Sequence, residues 1–385
     1  MKRCIQLKLI DLTKDVENSA SGTNPNEAFE TFLRNTVDKC GVEDIAKDNC
    51  DPPKKQRFGN FFFMRGNTAI SERDKKNDEI GNKIVTSIIR YVKLNDRYIA
   101  LASLLTKSYL HHYILGHHTS VDDNQDDSES PGKRIRALPR TRAGKPYIPF
   151  DESDVSLLPF SISHQFPFVG LAYFDGKMQG SSCSSTTVGL DIVMFSSYKN
   201  TQHLYSSVDE FLSVFKDSFS PREWNQLLNV SAGSSADRDS VKIKDFFIRW
   251  SIKEAYTKAL GTGLGTDFQS FDTRLYSEEG LEGTQLWEQA LCKESGAYFQ
   301  GHVVHTGSNL VEKWDFVFIP LFDDCTGNKE PADPVGCACI CVGTNNEECA
   351  SEECEGFSLI EVTISLSTLK DLIDYHITTY INVNF

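Results

Sequence analysis

The sequence predicts an α+β protein built in two parts. Three observations lead there. Apolar runs at 168–174 (FVGLAYF) and 188–195 (VGLDIVMF) read as strands. Apolar residues recur at helical spacing over 84–115 and 241–260. Polar stretches rich in Ser, Asn, Asp, Gly, Glu or Lys separate these segments. The chain has 385 residues, which at ~150 residues per domain suggests two domains. The joint is expected near 175–187, which gives parts 1–178 and 179–385.

In chain order, Met1-Lys2-Arg3 begins like a signal peptide, but Lys8 and Asp11 interrupt the apolar stretch that should follow. No apolar run approaches the ~18 residues of a membrane-spanning helix, so a soluble cytoplasmic protein is expected. Long, low-complexity surface insertions are expected at 15–26, 48–57, 71–82, 120–132, 180–187, 231–240 and 323–356. Between them, Ile88, Val92, Ala100, Leu104 and Ile114 place one or two helices in 84–115. Segment 208–219 reads as helical. Ser220 can then cap a new helix whose first turn holds Pro221. The strongest helix is 241–260, closed by Gly261. Strands are expected at 314–321 and 336–342, and a short helix at 367–377.

Composition excludes several classes. With 39% hydrophobic and 24% charged residues the chain can bury a core, so wholesale disorder is ruled out. A net charge of −14 disfavours a general nucleic-acid binder, while an anionic small ligand needs only a local basic patch. Eleven cysteines, an odd number, fit reduced thiols. Cys337, Cys339 and Cys341 alternate along one strand face, with Cys349 and Cys354 beyond. That spacing suits a small buried face and not a zinc knuckle. Gly261-x-Gly263-x-Gly265 follows a helix and is not a strand-to-helix dinucleotide loop.

Four features carry chemistry. In helix 241–260 the stripe Ile243, Phe247, Trp250 continues to Glu254 and Lys258, so two charges stand where the apolar face should go on. They form either an exposed i,i+4 ion pair or the lining of a cleft, with a metal-binding carboxylate and a phosphate-binding ammonium. Asp191 lies inside an apolar strand on the same face as Gly189. It points to solvent at a strand edge, or joins Glu254 in a magnesium site. Segment 133–145 (KRIRALPRTRAGK) reverses the sign of the chain locally, as a solvated turn or as a loop at an anion site. Ser161, Ser163 and His164 lack a hydrolase elbow but make sense as phosphate donors.

Taken together, these segments resemble the 4'-phosphopantetheinyl transferase family of the large pseudo-dimeric type. The carrying residues are Val188-Gly189-Leu190-Asp191, Phe219-Ser220-Pro221-Arg222-Glu223-Trp224 and Trp250-Ser251-Ile252-Lys253-Glu254-Ala255-Tyr256-Thr257-Lys258. Upstream, Arg140-Thr141-Arg142-Ala143-Gly144-Lys145-Pro146 and Ser161-Ile162-Ser163-His164 are similar to the family's coenzyme A contacts, and Gly261-Thr262-Gly263-Leu264 continues the match. The tail Ile364-Ser365-Leu366-Ser367-Thr368-Leu369 is similar to that of the fungal aminoadipate-reductase-activating enzymes. The resemblance spans roughly residues 84–385, and the first eighty match only loosely.

What the resemblance implies is a pair of similar α/β halves related by a pseudo-two-fold axis, with coenzyme A between them. Asp191 and Glu254 would bind Mg²⁺, and Lys258 would contact the pyrophosphate. Arg140, Arg142, Lys145, Ser161, Ser163 and His164 would hold the adenosine phosphates, with Arg90 from the first long helix, or else Arg97. Glu223 would order the site. Many bacterial members carry an acid where this chain has Val193. The implied reaction is attack of a carrier-domain serine on the β-phosphate, with Glu254 accepting its proton, Asp191 and Lys258 assisting, and 3',5'-ADP leaving. The implied partner is the apo carrier domain of aminoadipate reductase in lysine synthesis, or that of fatty-acid, polyketide or peptide synthetases. A monomer suffices, and no nucleic acid or membrane is involved. A non-catalytic coenzyme A or carrier-domain binder is the alternative, and a pyrophosphate hydrolase a third reading.

Overall fold

The computed structural model describes residues 3–20, 24–40, 42–43, 72–118, 135–136, 138, 145–146, 148, 159–174, 186–230, 235–276, 284–291, 296–307, 310–322, 333–344 and 360–381. In chain order the elements are β1 (Arg3–Asp11), α1 (Thr13–Ala20), α2 (Pro25–Cys40), β2 (Val42–Glu43), α3 (Glu72–Ile89), α4 (Leu94–His118), β3 (Ile135–Arg136), β4 (Phe160–Gln165), β5 (Phe168–Phe174), β6 (Thr186–Met194), α5 (Val208–Ser213), α6 (Pro221–Leu228), α7 (Ser235–Leu260), β7 (Phe271–Tyr276), α8 (Thr284–Leu291), β8 (Ala297–His305), β9 (Val311–Leu321), β10 (Gly336–Thr344), β11 (Ile360–Thr368) and α9 (Leu369–Ile381). The chain is therefore α+β.

Two compact units emerge, Met1–Leu9 with Phe150–Leu366, and Ile10–Pro149 with Ser367–Phe385. The first holds two sheets, ordered β11-β1-β5-β4 and β6-β10-β9-β8-β7. Their facing sides share one core, in which Ile5, Leu7, Leu9, Phe168 and Ala172 meet Val188, Leu190, Ile192, Val317, Ile319 and Ile340. The other side of the five-stranded sheet is covered by α7. Phe246, Ile248, Ile252, Ala255 and Ala259 bury there against Val193, Phe316, Phe318 and the three cysteines Cys337, Cys339 and Cys341. Strict alternation along β10 produces this split, since Ala338, Ile340 and Val342 face the other way. All three thiols are fully buried, and burial raises their pKa, that of Cys337 to about 12. The expected small buried strand face is what forms.

The described residues of the second unit are mainly helical and include the parallel pair β2–β3. Phe29 of α2 meets Tyr98 of α4 edge-on at 4.7 Å, and Tyr109 of α4 meets Tyr375 of α9 at 4.8 Å.

Four of the expected loops need correction, the first being 323–356, inside which β10 (Gly336–Thr344) forms. Segment 15–26 lies largely in α1 and the start of α2, 71–82 opens α3, and 231–240 holds the first turns of α7. Polarity reflects one-sided exposure there. In α2 only Phe29, Leu33, Thr36, Val37 and Cys40 are buried, a 3–4 spacing that a polar count conceals. The one or two helices expected in 84–115 are two, α3 and α4, separated by residues 90–93. Helix 208–219 stops at Ser213 and resumes as a short 3₁₀ turn. The expected insertions at 48–57 and 120–132, and Arg140 and Arg142, lie outside the described residues.

Candidate functional site

The site begins with a glycine. A Cβ on Gly189 would stand 1.8 Å from the Ala255 carbonyl oxygen and 2.6 Å from the Ala259 nitrogen. Only a bare backbone lets α7 lie this close to β6. Two residues on, the same face of β6 presents Asp191 to α7, where Glu254 and Lys258 project one turn apart. Asp191, Glu254 and Lys258 line a single cavity of about 420 Å³, together with Ile162, Ser163, His164, Gln165, Ile192, Val193, Phe247 and Trp250. The solvent-facing alternative for Asp191 is overturned, because its carboxylate is buried.

Lys258 Nζ donates to Asp191 Oδ1 at 2.6 Å and to Ser163 Oγ at 3.0 Å. Ser163 Oγ in turn donates to Asp191 Oδ1 at 2.9 Å. The same oxygen accepts the Ile192 N–H at 3.2 Å. Neighbouring β4 side chains repeat the contact. Ser161 Oγ accepts the Leu190 N–H at 2.9 Å, and Gln165 Oε1 accepts the Met194 N–H at 2.9 Å. β6 is an edge strand, and these three side chains satisfy the N–H groups that no further strand pairs. Ser161 and Ser163 thus hold the two sheets together. Ser163 alone also reaches the charged groups, and His164, between Ser163 and Gln165, is exposed.

Glu254 differs. Its carboxylate has no hydrogen-bond partner among the described residues and is half-buried. Burial raises its pKa above the ordinary carboxylate value, Lys258 opposes that rise and Asp191 adds to it. Two carboxylates share one cavity, and a single lysine answers them. A divalent cation fits this donor set, since magnesium takes one or two protein carboxylates and completes its shell with water and phosphate oxygens. Among the described residues no group of three or more His, Cys, Asp or Glu is placed to hold a metal. Val193 lines the cavity without a donor.

Glu223 and Lys253 form a brace that the sequence only partly exposed. Ser220 and Glu223 make a full capping box at the start of α6. Glu223 Oε1 also accepts the Thr273 N–H at 3.0 Å and its hydroxyl at 2.9 Å. Lys253 Nζ lies 2.9 Å from Glu223 Oε2, with both side chains 0% exposed. It donates further to the carbonyls of Phe268 at 2.8 Å and Phe271 at 2.7 Å. The sequence motif contains Lys253 but assigns it no role. The signal was a lysine on the buried side of an apolar helix, which burial tolerates only with complete hydrogen bonding.

The other expected contacts stand in the helical unit. Arg90 is exposed just past the end of α3, with its guanidinium 5.5 Å from the Tyr91 ring centre. Arg97 donates to the Tyr91 carbonyl at 2.7 Å and to Asn26 at 3.0 Å. Lys145 is half-buried, and burial lowers its pKa.

Comparison with known proteins fits this geometry. Residues 187–306 match the family model of the 4'-phosphopantetheinyl transferase superfamily. The chain is 31% identical over 144 residues to a phosphopantetheinyl transferase of Thraustochytrium sp., covering 37% of this chain and 44% of that protein. It is 32% identical over 147 residues to the L-aminoadipate-semialdehyde dehydrogenase-phosphopantetheinyl transferase of Saccharomyces cerevisiae, covering 37% and 44%. To the human protein of the same name it is 31% identical over 160 residues, covering 41% and 45%. The chain therefore spans less than half the length of these relatives.

Proposed function

We propose, for a chain whose residues 187–306 match the family model of the 4'-phosphopantetheinyl transferase superfamily, that it moves the phosphopantetheine arm of coenzyme A onto a serine of an apo carrier domain. The observation that carries this reading is the meeting of Asp191 with Glu254 and Lys258, which follow it by 63 and 67 residues in the chain, around one cavity. The names of the relatives make aminoadipate reductase the first carrier to test, with fatty-acid, polyketide and peptide synthetase carriers next. We place the activity in the cytoplasm, in keeping with the absence of any long apolar helix among the described residues, and in a monomer.

Asp191 and Glu254 would hold Mg²⁺, which when bound supplies positive charge against the pyrophosphate of coenzyme A. Lys258, anchored by Asp191 and Ser163, presents its ammonium at the same cavity and stabilises charge on the departing phosphate. The serine oxygen of the carrier forms a bond to the β-phosphorus, and the bond from that phosphorus to the bridging oxygen breaks, releasing 3',5'-ADP. Glu254 takes the serine proton. Its raised pKa and lack of a hydrogen-bond partner suit it to this role better than Asp191, whose oxygen is already engaged. Arg90, Arg140, Arg142, Lys145, Ser161, Ser163 and His164 are our proposed contacts for the remaining phosphates, on the sequence resemblance, and Arg97 stands second to Arg90.

We also propose the pseudo-two-fold arrangement of halves 1–178 and 179–385. Its support is the separation of β4 and β5 from β6–β10 into two sheets that meet at one core. β11 pairs with β1, so one strand of 179–385 joins the sheet of 1–178.

Incubation with coenzyme A, Mg²⁺ and the apo carrier domain of aminoadipate reductase should add one phosphopantetheine to the carrier by mass spectrometry. No gain on any carrier class would defeat the reading. Glu254→Ala separates enzyme from binder, since an enzyme loses turnover while a binding protein keeps its partner.

A further inference from the structure

A second cavity, of about 50 Å³, lies among α6, α7, β7 and α8, and shares no lining residue with the one that holds Asp191 and Glu254. Arg222, Arg249 and Arg274 line it, together with Gln226, Thr273 and Trp287. Arg249 has a side chain only 6% exposed. Its Nε donates to Asp245 Oδ1 at 2.8 Å and its Nη1 to Gln226 Oε1 at 3.2 Å. Its Nη2 has no hydrogen-bond partner among the described residues. Trp287 lies beneath this guanidinium, 5.8 Å from ring centre to Cζ, and its indole N–H donates to Asp245.

The other two arginines share one acid. Arg274 Nε donates to Asp272 Oδ2 at 3.0 Å, and Arg222 Nη1 reaches the same oxygen at 3.3 Å. Ser220 Oγ also donates to Asp272, at 3.3 Å. Among the described residues three guanidiniums therefore meet two carboxylates, Asp245 and Asp272, and a positive surplus stays at the cavity wall. Arginine carries five N–H donors in a fixed fork, so each of the three keeps N–H groups that these acids do not use. In a chain of net charge −14, such a surplus of donors over acceptors is a local reversal.

We propose that this cavity binds a single small oxyanion, a phosphate or a carboxylate group. Arginine forks match the oxygens of both, and charge-assisted bonds to them are the strong ones. Volume agrees, because at roughly 10–15 Å³ for each water-sized probe position the cavity takes a few heavy atoms. It is too small for a nucleotide. Thr273 joins the cavity wall to Glu223, and Glu223 to Lys253 on α7, so an anion here touches the brace behind the Glu254 turn.

The test uses the full chain carrying Lys258→Ala, which removes the lysine of the larger cavity. Inorganic phosphate is titrated by phosphorus NMR line width and acetate by calorimetry. Saturable binding of one equivalent of either anion is expected. Phosphate alone identifies a tetrahedral ligand, acetate alone a carboxylate, and both a general oxyanion site. Adding Arg274→Gln or Arg222→Gln should weaken that binding by about tenfold or more, as loss of one charge-assisted hydrogen bond does. The two arginines are changed separately, each with circular dichroism to establish folding. Absence of saturable binding for both anions, or binding that survives both arginine changes, overturns the proposal.

Discussion

Lys253 and Glu254 are adjacent on α7 and meet opposite surroundings. Lys253 points to the closed side, where Glu223 and two carbonyls accept from its ammonium and every oxygen of Glu223 is in turn engaged. Glu254 points to the open cavity, where its carboxylate has no hydrogen-bond partner among the described residues and faces a second acid. Both are charged groups on a helix that buries most of its surface. Their difference is one of completeness. A fully satisfied buried pair is finished as structure, and a carboxylate held half out of water without a partner is kept for a ligand.

The contrast can be broken from either side. Lys253→Ala strands the Glu223 carboxylate in the core, and removal of one partner of a buried pair costs about 3–5 kcal/mol. Urea unfolding should show that loss, and adding Glu223→Gln, which removes the stranded charge, should restore part of it. If Lys253→Ala unfolds like the parent chain, the brace is not structural. Glu254→Ala should do the reverse. Carrier modification should fall by about 10²-fold or more, the lower range for loss of a general base. Unfolding free energy should change by less than about 0.5 kcal/mol. A stability loss as large as that of Lys253→Ala would place Glu254 with the brace.

Ser163 lines the open cavity and also satisfies buried backbone, so it should show a mixed, smaller effect. Its Ala variant leaves the buried Ile192 N–H unpaired and takes a partner from Asp191 and Lys258, at about 1–3 kcal/mol. Ser161→Ala removes only the bond to the Leu190 N–H, so it should cost less stability and spare turnover more. Equal turnover in the two variants would remove Ser163 from the site.

The sequence could show α7 and β6 because their signals are local. The apolar stripe through Trp250 breaks at Glu254, and Asp191 interrupts a strand two residues from Gly189. What it could not show depends on which edge meets which. The hydroxyls of Ser161 and Ser163 looked like phosphate donors, and both are engaged with the backbone of a strand about thirty residues on. Lys258 looked like the i,i+4 partner of Glu254, yet its ammonium is drawn across to Asp191. Segment 15–26 reads as a loop although it holds most of α1 and the first residues of α2, because a one-sided apolar face in a polar segment is easily missed in composition.

The smallest effect is the pH dependence of stability. Burial raises the pKa of Glu254, so the folded chain holds that proton more tightly than the unfolded chain. The stabilisation is full below the unfolded value near 4.5 and is lost as pH rises through the higher folded value. Glu254→Gln has no such titration. The stability of the parent chain relative to Glu254→Gln should therefore decline as pH rises above about 4.5, measured by urea unfolding at several pH values. Lys258 acts against this trend, so Lys258→Met should steepen it. A relative stability that climbs with pH would mean that Lys258 outweighs burial. Glu254 would then belong with the satisfied ion pairs, and its contrast with Lys253 would vanish.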